Sequence, residues 1–303
     1  MSPARVAVIA PSSPFPVEEF ERGLAWLRAR AEVRVDPRCL DRLGYLAGHD
    51  DARAAAVLDA LRDPEVRCLW AARGGYGVTR LLERHGDAMV EALRRDPKPV
   101  VGFSDATALH AVWARAGVPS IHGAMVSALH RTDVARGETW AALTGEAPAP
   151  WEGLEAVCGG GQAEGVARGG NLSLLAALVG TPWQLDLRGA VLFLEDVNEA
   201  PYRVDRMLTT LRLARALDGV AAVVLGDFTG GGEGPDGATV DLVLWERLEA
   251  LGVPVLAGAP FGHGKRQRPW VSGGRVVVDV ARGAVTLDPL APPFTLPYRT
   301  APT

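Results

Sequence analysis

The stretch KPVVGFSDATALHAVWARA, residues 98–116, joins two structural patterns without an intervening loop. Lys98–Phe103 is an apolar run of strand length, and Asp105–Ala116 has the apolar spacing of a helix. Ser104 lies between them, and the small residues two positions to either side allow a tight turn. This pattern predicts one strand–helix unit of a parallel sheet, with the serine at the carboxyl end of its strand.

The same alternation extends through the first half of the chain. We predict strands at Arg5–Ala10 and Arg67–Ala71, and amphipathic helices at Val17–Arg30 and Ala52–Arg62. Strands that alternate with helices of this length indicate a parallel sheet with helices on both faces. The first half is therefore expected to be a Rossmann-like or flavodoxin-like α/β domain.

The second half resumes this rhythm after an interruption. Proline and glycine cluster in residues 146–166, which predicts a linker. We therefore expect an N-terminal domain over 1–145 and a C-terminal α/β domain over 167–303, with an irregular tail after Pro289. The predicted strands of the second domain are Ala190–Leu194, Val220–Leu225 and Pro254–Leu256, its helices are Arg203–Arg215 and Val240–Leu251, and its final hairpin is Arg275–Val280 with Ala284–Leu287.

Composition narrows the class of protein. The 303 residues carry a net charge of −4 and no dense Lys/Arg run, which argues against nucleic acid or an anionic membrane as partner. No apolar run approaches the length of a membrane-spanning helix, and the run Val6–Ala10 is too short for a secretory leader. We therefore expect a cytoplasmic protein.

The cysteines and histidines suggest no metal site. Cys39, Cys68 and Cys158 are odd in number and far apart, so neither a disulfide framework nor a structural zinc site is expected. No His/Cys cluster has ligand spacing, and we expect no metal and no cofactor. Cys158 lies in the predicted linker with no strand before it, which makes it a poor candidate nucleophile.

Two places in the first half could carry chemistry. Ser104 could form a nucleophile elbow, although a serine before Asp105 is also an ordinary helix cap. The segment Arg73–Gly77 follows a predicted strand and holds three glycines, so its backbone N–H groups could stabilise an oxyanion. It could equally be a plain turn, and it matches neither a Walker loop nor the dinucleotide fingerprint.

Two further places lie in the second half. Glu195 and Asp196 end an apolar strand, where one carboxylate could orient a histidine or both could simply reach water. His263 stands between two glycines just after a strand, so it has freedom of approach and little packing of its own. It is the best general-base candidate among the six histidines.

Taken together, the motifs occur in one order along nearly the whole chain. They are Ile9–Pro14, Arg73–Gly77, Gly102–Asp105, His122–Gly123, Gly169–Leu172, Leu194–Asp196, Pro201–Arg206, Gly226–Phe228 and Gly262–His263. This order of motifs resembles the LD-carboxypeptidase family of serine peptidases, which includes muramoyltetrapeptide carboxypeptidases and microcin-immunity peptidases.

The resemblance implies a catalytic triad. Ser104 would be the nucleophile, His263 the general base and Glu195 the carboxylate that orients it, with Glu199 as the main rival for the acidic role. The backbone N–H of Asp105 and an N–H of Gly74 or Gly75 would form the oxyanion hole. Because the serine and the other two residues come from different domains, we expect the site in the cleft between them, where domain movement could gate activity.

The resemblance also implies a small peptide substrate and a homodimer. The better-known family reaction, in peptidoglycan recycling, releases terminal D-alanine from murein tetrapeptide, and Arg73 or Arg203 could bind the free carboxylate. The segment Gly264–Trp270 departs from the family pattern. The other expected substrate contacts are Tyr76, Asn171 and Asp227.

Other functions stay open at this point. The microcin-immunity branch cleaves a peptidyl nucleotide, and an aromatic residue stacks on its base. Trp151, Trp183 or Trp270 could do this, although core packing is the preferred interpretation of each. The triad could also serve an acyltransferase or esterase. Finally, two α/β lobes could form a non-catalytic peptide-binding protein, in which Ser104 would be only a helix cap.

Overall fold

The computed structural model describes residues 5–131 and 133–296, and for Asp236 its backbone only. The chain forms two compact units. Of the described residues, unit 1 contains those from Arg5 to Ala147, the short segment Arg268–Val271 and the segment 289–296. Unit 2 contains Pro148–Gln267 and Ser272–Asp288.

Strands and helices alternate along most of the chain. The strands are β1 (Arg5–Ile9), β2 (Glu32–Val35), β3 (Val66–Ala71), β4 (Val100–Gly102), β5 (Ser120–His122), β6 (Glu155–Cys158), β7 (Gln162–Asn171), β8 (Ala190–Val197), β9 (Ala222–Thr229), β10 (Val255–Ala257), β11 (Trp270–Ser272), β12 (Arg275–Asp279) and β13 (Ala284–Leu287). The α-helices are α1 (Val17–Arg28), α2 (Asp50–Arg62), α3 (Val78–Arg95), α4 (Thr107–Ala116), α5 (Asp133–Thr144), α6 (Leu172–Ala177), α7 (Pro201–Leu213) and α8 (Val240–Glu249).

Unit 1 is built on a six-stranded sheet with the order β11-β5-β4-β3-β1-β2. β1 pairs in parallel with β2 and β3, and β3, β4 and β5 continue the parallel series. The order 2-1-3-4-5 is the flavodoxin-like one, so the predicted fold class is confirmed. In such sheets ligands bind at the carboxyl ends of the strands where the order reverses, here between β1 and β3.

Unit 2 is built on a seven-stranded sheet with the order β13-β12-β7-β8-β9-β10-β6. The central strands β7 to β10 are parallel, whereas β12 and β6 add antiparallel strands on the two sides. Seven of the eight residues of β8 are buried, as expected for a central strand covered on both faces. The predicted terminal hairpin is present as the antiparallel pair β12–β13.

The units differ from the predicted boundaries in two places. The predicted linker, 146–166, contains β6 and the first half of β7. β6 is short and partly exposed, and glycines follow it directly. It therefore has no apolar run by which a strand could be predicted from the sequence. The predicted C-terminal domain also contains segments of unit 1, because Val271, Leu290 and Leu296 lie in the unit 1 core.

The unit 1 core contains aromatic and aliphatic side chains from most of its elements, among them Phe20, Trp70 and Trp140. Within residues 5–131 and 133–296, we find no helix that combines the length and apolarity needed to cross a membrane.

Candidate functional site

Ser104 lies at a sharp strand-to-helix turn in unit 1. After β4, Phe103 is extended, with φ −149° and ψ −173°, and Ser104 then adopts φ +62°. A left-handed backbone at a non-glycine residue costs on the order of 1–3 kcal/mol and is found most often at functional sites. Ser104 starts a 3₁₀ turn that leads into α4, and neither the turn nor the helix has a side-chain cap in the described chain. The elbow geometry is therefore present, and the helix-cap interpretation is not supported.

Small residues and a buried histidine hold the strand end before the elbow. A Cβ added at Gly102 would lie 2.8 Å from the Cβ of Ala106 and 3.2 Å from that of Ala71. The Gly102 carbonyl accepts a hydrogen bond from Nε2 of His110 at 3.0 Å, so Nδ1 accepts from the Ser120 hydroxyl at 2.8 Å. Burial lowers the pKa of His110 to about 4, and this histidine is a neutral structural support at neutral pH.

The glycine-rich loop Arg73–Gly77 approaches the serine closely. A Cβ added at Gly74 would lie 2.9 Å from the Cβ of Ser104 and 3.1 Å from its Oγ. Ser13, in the loop after β1, donates its N–H to the Gly74 carbonyl at 3.2 Å. Its Oγ accepts the N–H of Tyr76 at 3.1 Å. The loops at the switch point of the sheet therefore brace each other next to the serine.

Three backbone donors lie in this region. Within the part of the chain that the structure describes, the N–H groups of Gly74, Gly75 and Asp105 donate no hydrogen bond to protein. Backbone N–H groups are rarely left unpaired when a protein partner is in reach. These three are the donors that the sequence assigns to an oxyanion hole.

Glu195 and His263 meet in unit 2. Oε2 of Glu195 lies 2.6 Å from Nδ1 of His263, and the glutamate is fully buried at the end of β8. Gly262, with φ +113°, permits the approach, because a Cβ there would lie 3.0 Å from both Cβ and Oε2 of Glu195. A carboxylate accepts from Nδ1–H, so Nε2 keeps its lone pair and can act as a base.

Asn171 and Asp196 support this pair. Asn171, the N-cap of α6, donates Nδ2 to Oε1 of Glu195 at 3.2 Å and to Oδ1 of Asp196 at 3.0 Å. Asp196 Oδ2 accepts the backbone N–H and the hydroxyl of Ser173 at 2.8 and 2.7 Å. Asp196 is thus committed to the start of α6, and Glu195 is the carboxylate that binds the histidine. The rival Glu199 instead pairs with Arg203 at 3.6 Å.

The charges around His263 favour its protonated form. Burial lowers the pKa of His263, but the hydrogen bond and charge of Glu195, with the charges of Asp196 and Asp227, outweigh burial and raise the pKa overall. Burial raises the pKa of Asp227, against the charge of Arg266 and the N–H of Gly264. Asp227 packs directly on Gly264, so it supports the loop that carries His263.

The predicted substrate contacts have different surroundings. Asn171 and Asp227 contact the Glu195–His263 pair and its loop. Arg73 is exposed and donates to the Pro14 carbonyl at 2.5 Å, and Tyr76 is exposed and tilted against Tyr45 with ring centroids 5.8 Å apart. Arg203 is exposed and donates to the hydroxyl of Tyr202 at 3.1 Å.

The tryptophans proposed for base stacking are buried. Trp151, Trp183 and Trp270 are 2%, 9% and 1% exposed, which fits their interpretation as core residues. Trp151 stacks on Phe261 with centroids 5.8 Å apart, and Trp270 stacks on His122 at 5.0 Å.

The structure thus assembles two half-sites, each inside its own unit. Unit 1 places Gly74 against Ser104, and unit 2 places Glu195 against His263. Unit 1 thus holds a serine beside backbone N–H donors, and unit 2 holds a histidine bonded to a buried carboxylate, which are the kinds of group that acyl transfer uses. Sequence reasoning missed Ser13 and His110 as supports. It also missed that Asn171 caps α6, although an asparagine before an apolar run is a capping signal.

Two family models match the chain. The LD-carboxypeptidase N-terminal domain matches residues 6–123, and the LD-carboxypeptidase C-terminal domain matches residues 164–278.

Individual relatives agree with these models. The murein tetrapeptide carboxypeptidase of Pseudomonas aeruginosa is 30% identical over 291 residues, which cover 91% of this chain and 93% of the relative. The crystal structure of muramoyltetrapeptide carboxypeptidase from Oxalobacter formigenes is 30% identical with a TM-score of 0.84, covering 96% of this chain and 99% of that one. The microcin C7 self-immunity protein of Escherichia coli is 26% identical over 294 residues, covering 84% and 83%. The chain therefore belongs to the LD-carboxypeptidase family of serine carboxypeptidases.

Proposed function

We propose that this protein releases terminal D-alanine from murein tetrapeptide by hydrolysing its L,D-peptide bond. The observation that carries the proposal is the 2.6 Å contact between the buried Glu195 and Nδ1 of His263, which leaves Nε2 as a base. The strained Ser104, with glycine backbone at its side, supplies the matching nucleophile. Relatives that are 30% identical over almost the whole chain carry the name of this activity.

In the proposed reaction, Ser104, His263 and Glu195 act as one triad. His263 Nε2 takes the hydroxyl proton of Ser104 as Oγ attacks the scissile carbonyl, and Glu195 stabilises the imidazolium. The N–H groups of Asp105 and of Gly74 or Gly75 bind the oxyanion. His263 then gives its proton to the departing amine of D-alanine. Water attacks the acyl-enzyme with His263 again as base, and this releases the tripeptide and restores Ser104.

The free carboxylate of the substrate requires a cation. Arg73 and Arg203 are both exposed and bear guanidinium groups whose fork matches a carboxylate. Arg73 leads directly into the glycine-rich loop beside Ser104, which favours it as the carboxylate-binding residue. Tyr76, exposed in the same loop, is the second proposed substrate contact.

We place the reaction in the cytoplasm, on murein peptides that are being recycled. The free state of Cys39, Cys68 and Cys158 fits a reducing compartment. The homodimer implied by the family resemblance stays a prediction, which light scattering of the purified protein would test.

A peptidyl nucleotide is the second candidate substrate, because a microcin self-immunity protein is among the relatives. The burial of Trp151, Trp183 and Trp270 weighs against it, since none of them offers an exposed face for a base. A purely binding function is disfavoured because it gives no reason to strain Ser104.

The deciding experiment is mass-resolved release of D-alanine from murein tetrapeptide by wild type and Ser104→Ala. Release by wild type alone would support both the activity and the nucleophile. Release by both proteins would remove Ser104 from its role. If neither protein releases D-alanine while wild type cleaves a peptidyl nucleotide, the tetrapeptide proposal fails and the second candidate replaces it.

A further inference from the structure

One peptide group at the end of the glycine-rich loop is held from both sides by buried charges. The Gly77 carbonyl accepts a hydrogen bond from Nη1 of Arg53 at 3.0 Å. The N–H of the same peptide group, that of Val78, donates to Oδ2 of Asp105 at 2.9 Å. Gly77 has φ +138°, and a Cβ there would lie 2.6 Å from Arg53 Nη1, so only glycine permits this contact.

Both charged side chains are withdrawn from water. Arg53 is 1% exposed and Asp105 is 0% exposed. Arg53 also donates to the carbonyls of Pro11 and Gly48 and pairs with Asp50 at 2.5 Å. Burying two ions is costly even when they are well bonded, so such groups are weak stabilisers of a fold. This cost suggests a use beyond stability.

The carboxyl of Asp105 faces several groups. Burial raises its pKa, while the nearby Ser12 hydroxyl, the N–H groups of Val78 and Gly77 and the charge of Arg53 act in the opposite direction. Of these groups, only the N–H of Val78 belongs to the Gly77–Val78 peptide group, whose carbonyl accepts a hydrogen bond from Arg53.

The other end of the loop is also fixed. Ser13 bonds the Gly74 carbonyl and the Tyr76 N–H. Gly74 and Gly75 lie at the Ser13 attachment, a few residues before the Gly77–Val78 peptide, and Gly74 abuts Ser104. Asp105 is the residue directly after the serine, so its side chain links the elbow to the exit of the loop.

We propose that Asp105 is a positioning residue for the oxyanion hole. Its carboxylate and the guanidinium of Arg53 bind the two sides of the Gly77–Val78 peptide and so fix the glycine-rich loop relative to Ser104. This inference rests on the proposed function. Asp105 acts in two ways, since its own N–H is an oxyanion donor and its carboxylate sets the place of the second donor.

This role predicts a specific kinetic signature. Oxyanion donors act on the transition state, so losing the position of one lowers kcat by about 10²-fold, with KM within about threefold. Asp105→Ala should show this loss. Asp105→Asn keeps an oxygen that can accept the Val78 N–H, and it should retain kcat within about tenfold.

Asp36→Ala is the matched control. Asp36 is another buried aspartate of unit 1 that accepts a backbone N–H at 2.9 Å, from Arg38, but it lies in a different turn. Its loss should lower stability while kcat stays within about twofold, since hydrogen bonds of this kind contribute mainly to folding.

The experiment measures kcat and KM for D-alanine release with wild type, Asp105→Ala, Asp105→Asn and Asp36→Ala, each checked for folding by thermal melting. A kcat loss confined to Asp105→Ala and rescued in Asp105→Asn would support the inference. Equal kcat in Asp105→Ala and Asp36→Ala would overturn it. If Asp105→Ala does not fold, Asp105→Leu decides, because it keeps the bulk of the side chain but has no acceptor for the Val78 N–H: a kcat loss of about 10²-fold supports the inference, and retained kcat overturns it.

The wild-type measurement distinguishes a failure of the proposed function from a failure of the positioning role. A wild type that releases no D-alanine contradicts the proposed function itself. An active wild type whose Asp105 variants behave like Asp36→Ala contradicts only the positioning role.

Discussion

Ser104 and His263 are held in place in different ways. In unit 1 the backbone does the positioning: a left-handed serine, glycines at contact distance and a braced pair of loops. In unit 2 side-chain hydrogen bonds do it, from Asn171 through Glu195 to His263. The proposed nucleophile, Ser104, should therefore be sensitive to added bulk, and the proposed base, His263, to changes of polarity that leave shape intact. Substitutions of each kind can test this difference.

The largest effect is expected for Glu195→Gln, a change of polarity with little change of shape. We expect kcat to fall about 10³–10⁴-fold, because the neutral amide no longer fixes the imidazole tautomer or stabilises imidazolium. The raised pKa of His263 means that the base is lost as pH falls through a value above 6.5. The variant removes the charge of Glu195, which helps to raise this pKa, so the acid limb of kcat/KM should move to lower pH.

Glu199→Gln is the control for this change, since Glu199 pairs with Arg203 instead of His263. Its kcat should stay within about threefold of wild type. Equal losses in the two variants would contradict the assignment of Glu195.

Gly74→Ala tests the effect of added bulk in unit 1. The new methyl would lie 2.9 Å from the Cβ of Ser104, so either the loop or the serine must shift. We expect kcat to fall about 10²-fold, the usual cost of a misplaced oxyanion donor, in a protein that still folds.

Gly137→Ala is the matched control, because no atom lies within 4 Å of its added Cβ and it belongs to α5. It should keep full activity and gain up to about 1 kcal/mol of helix stability. Steady-state kinetics and chemical unfolding measure both. Full activity in Gly74→Ala would show that backbone contact does not position Ser104.

Variants of Asn171 can separate its two roles in unit 2, which are to cap α6 and to orient Glu195. Its Oδ1 accepts the Leu174 N–H, while its Nδ2 donates to Glu195 and Asp196. Asn171→Ser keeps a capping oxygen but loses the amide N–H that reaches Glu195 and Asp196. We expect kcat to fall about tenfold, the value of one charged hydrogen bond, while the cap of α6 is kept.

Asn171→Ala loses both functions, and its unfolding free energy should fall by about 1 kcal/mol as well. Urea titration and kcat together test the pair of variants. Wild-type kcat in Asn171→Ser would remove Asn171 from the support of Glu195.

The smallest effect concerns the substrate carboxylate. Arg73→Gln should raise KM about fivefold with kcat nearly unchanged, because an exposed ion pair contributes about 1 kcal/mol. The same change at Arg203 should leave KM within about twofold. If Arg203→Gln raises KM instead, the carboxylate is held by unit 2, and the division of tasks between the two units is different from the one proposed.

Sequence reasoning predicted the features that local patterns determine. The strand ending before Ser104, the glycines around His263 and the hairpin near Gly283 all have short-range signals, and the structure contains each of these elements. The alternation of strand and helix patterns also indicates two parallel-sheet domains, so the fold class could be predicted from the sequence.

The features that the sequence could not predict depend on long-range placement. β6 pairs with β10 about 100 positions away, and it carries no apolar run of its own. Arg53 lies in a helix, where a charged side chain is normally exposed. Only the folded structure reveals that it is buried against Gly77. The resemblance already pointed to Glu195, but only the structure shows that Asp196 is bonded to Ser173.

Unit 1 is built from separate segments of the chain, and this affects when it can fold during synthesis. Its core takes Val271, Leu290 and Leu296 from beyond unit 2, so this core is incomplete until the ribosome has translated past Leu296. Domains usually fold in the order in which they emerge, but here unit 1 must wait for residues that are made after unit 2. A nascent chain stalled at residue 260 would hold an unfinished Ser104 half, with apolar surface open to chaperones.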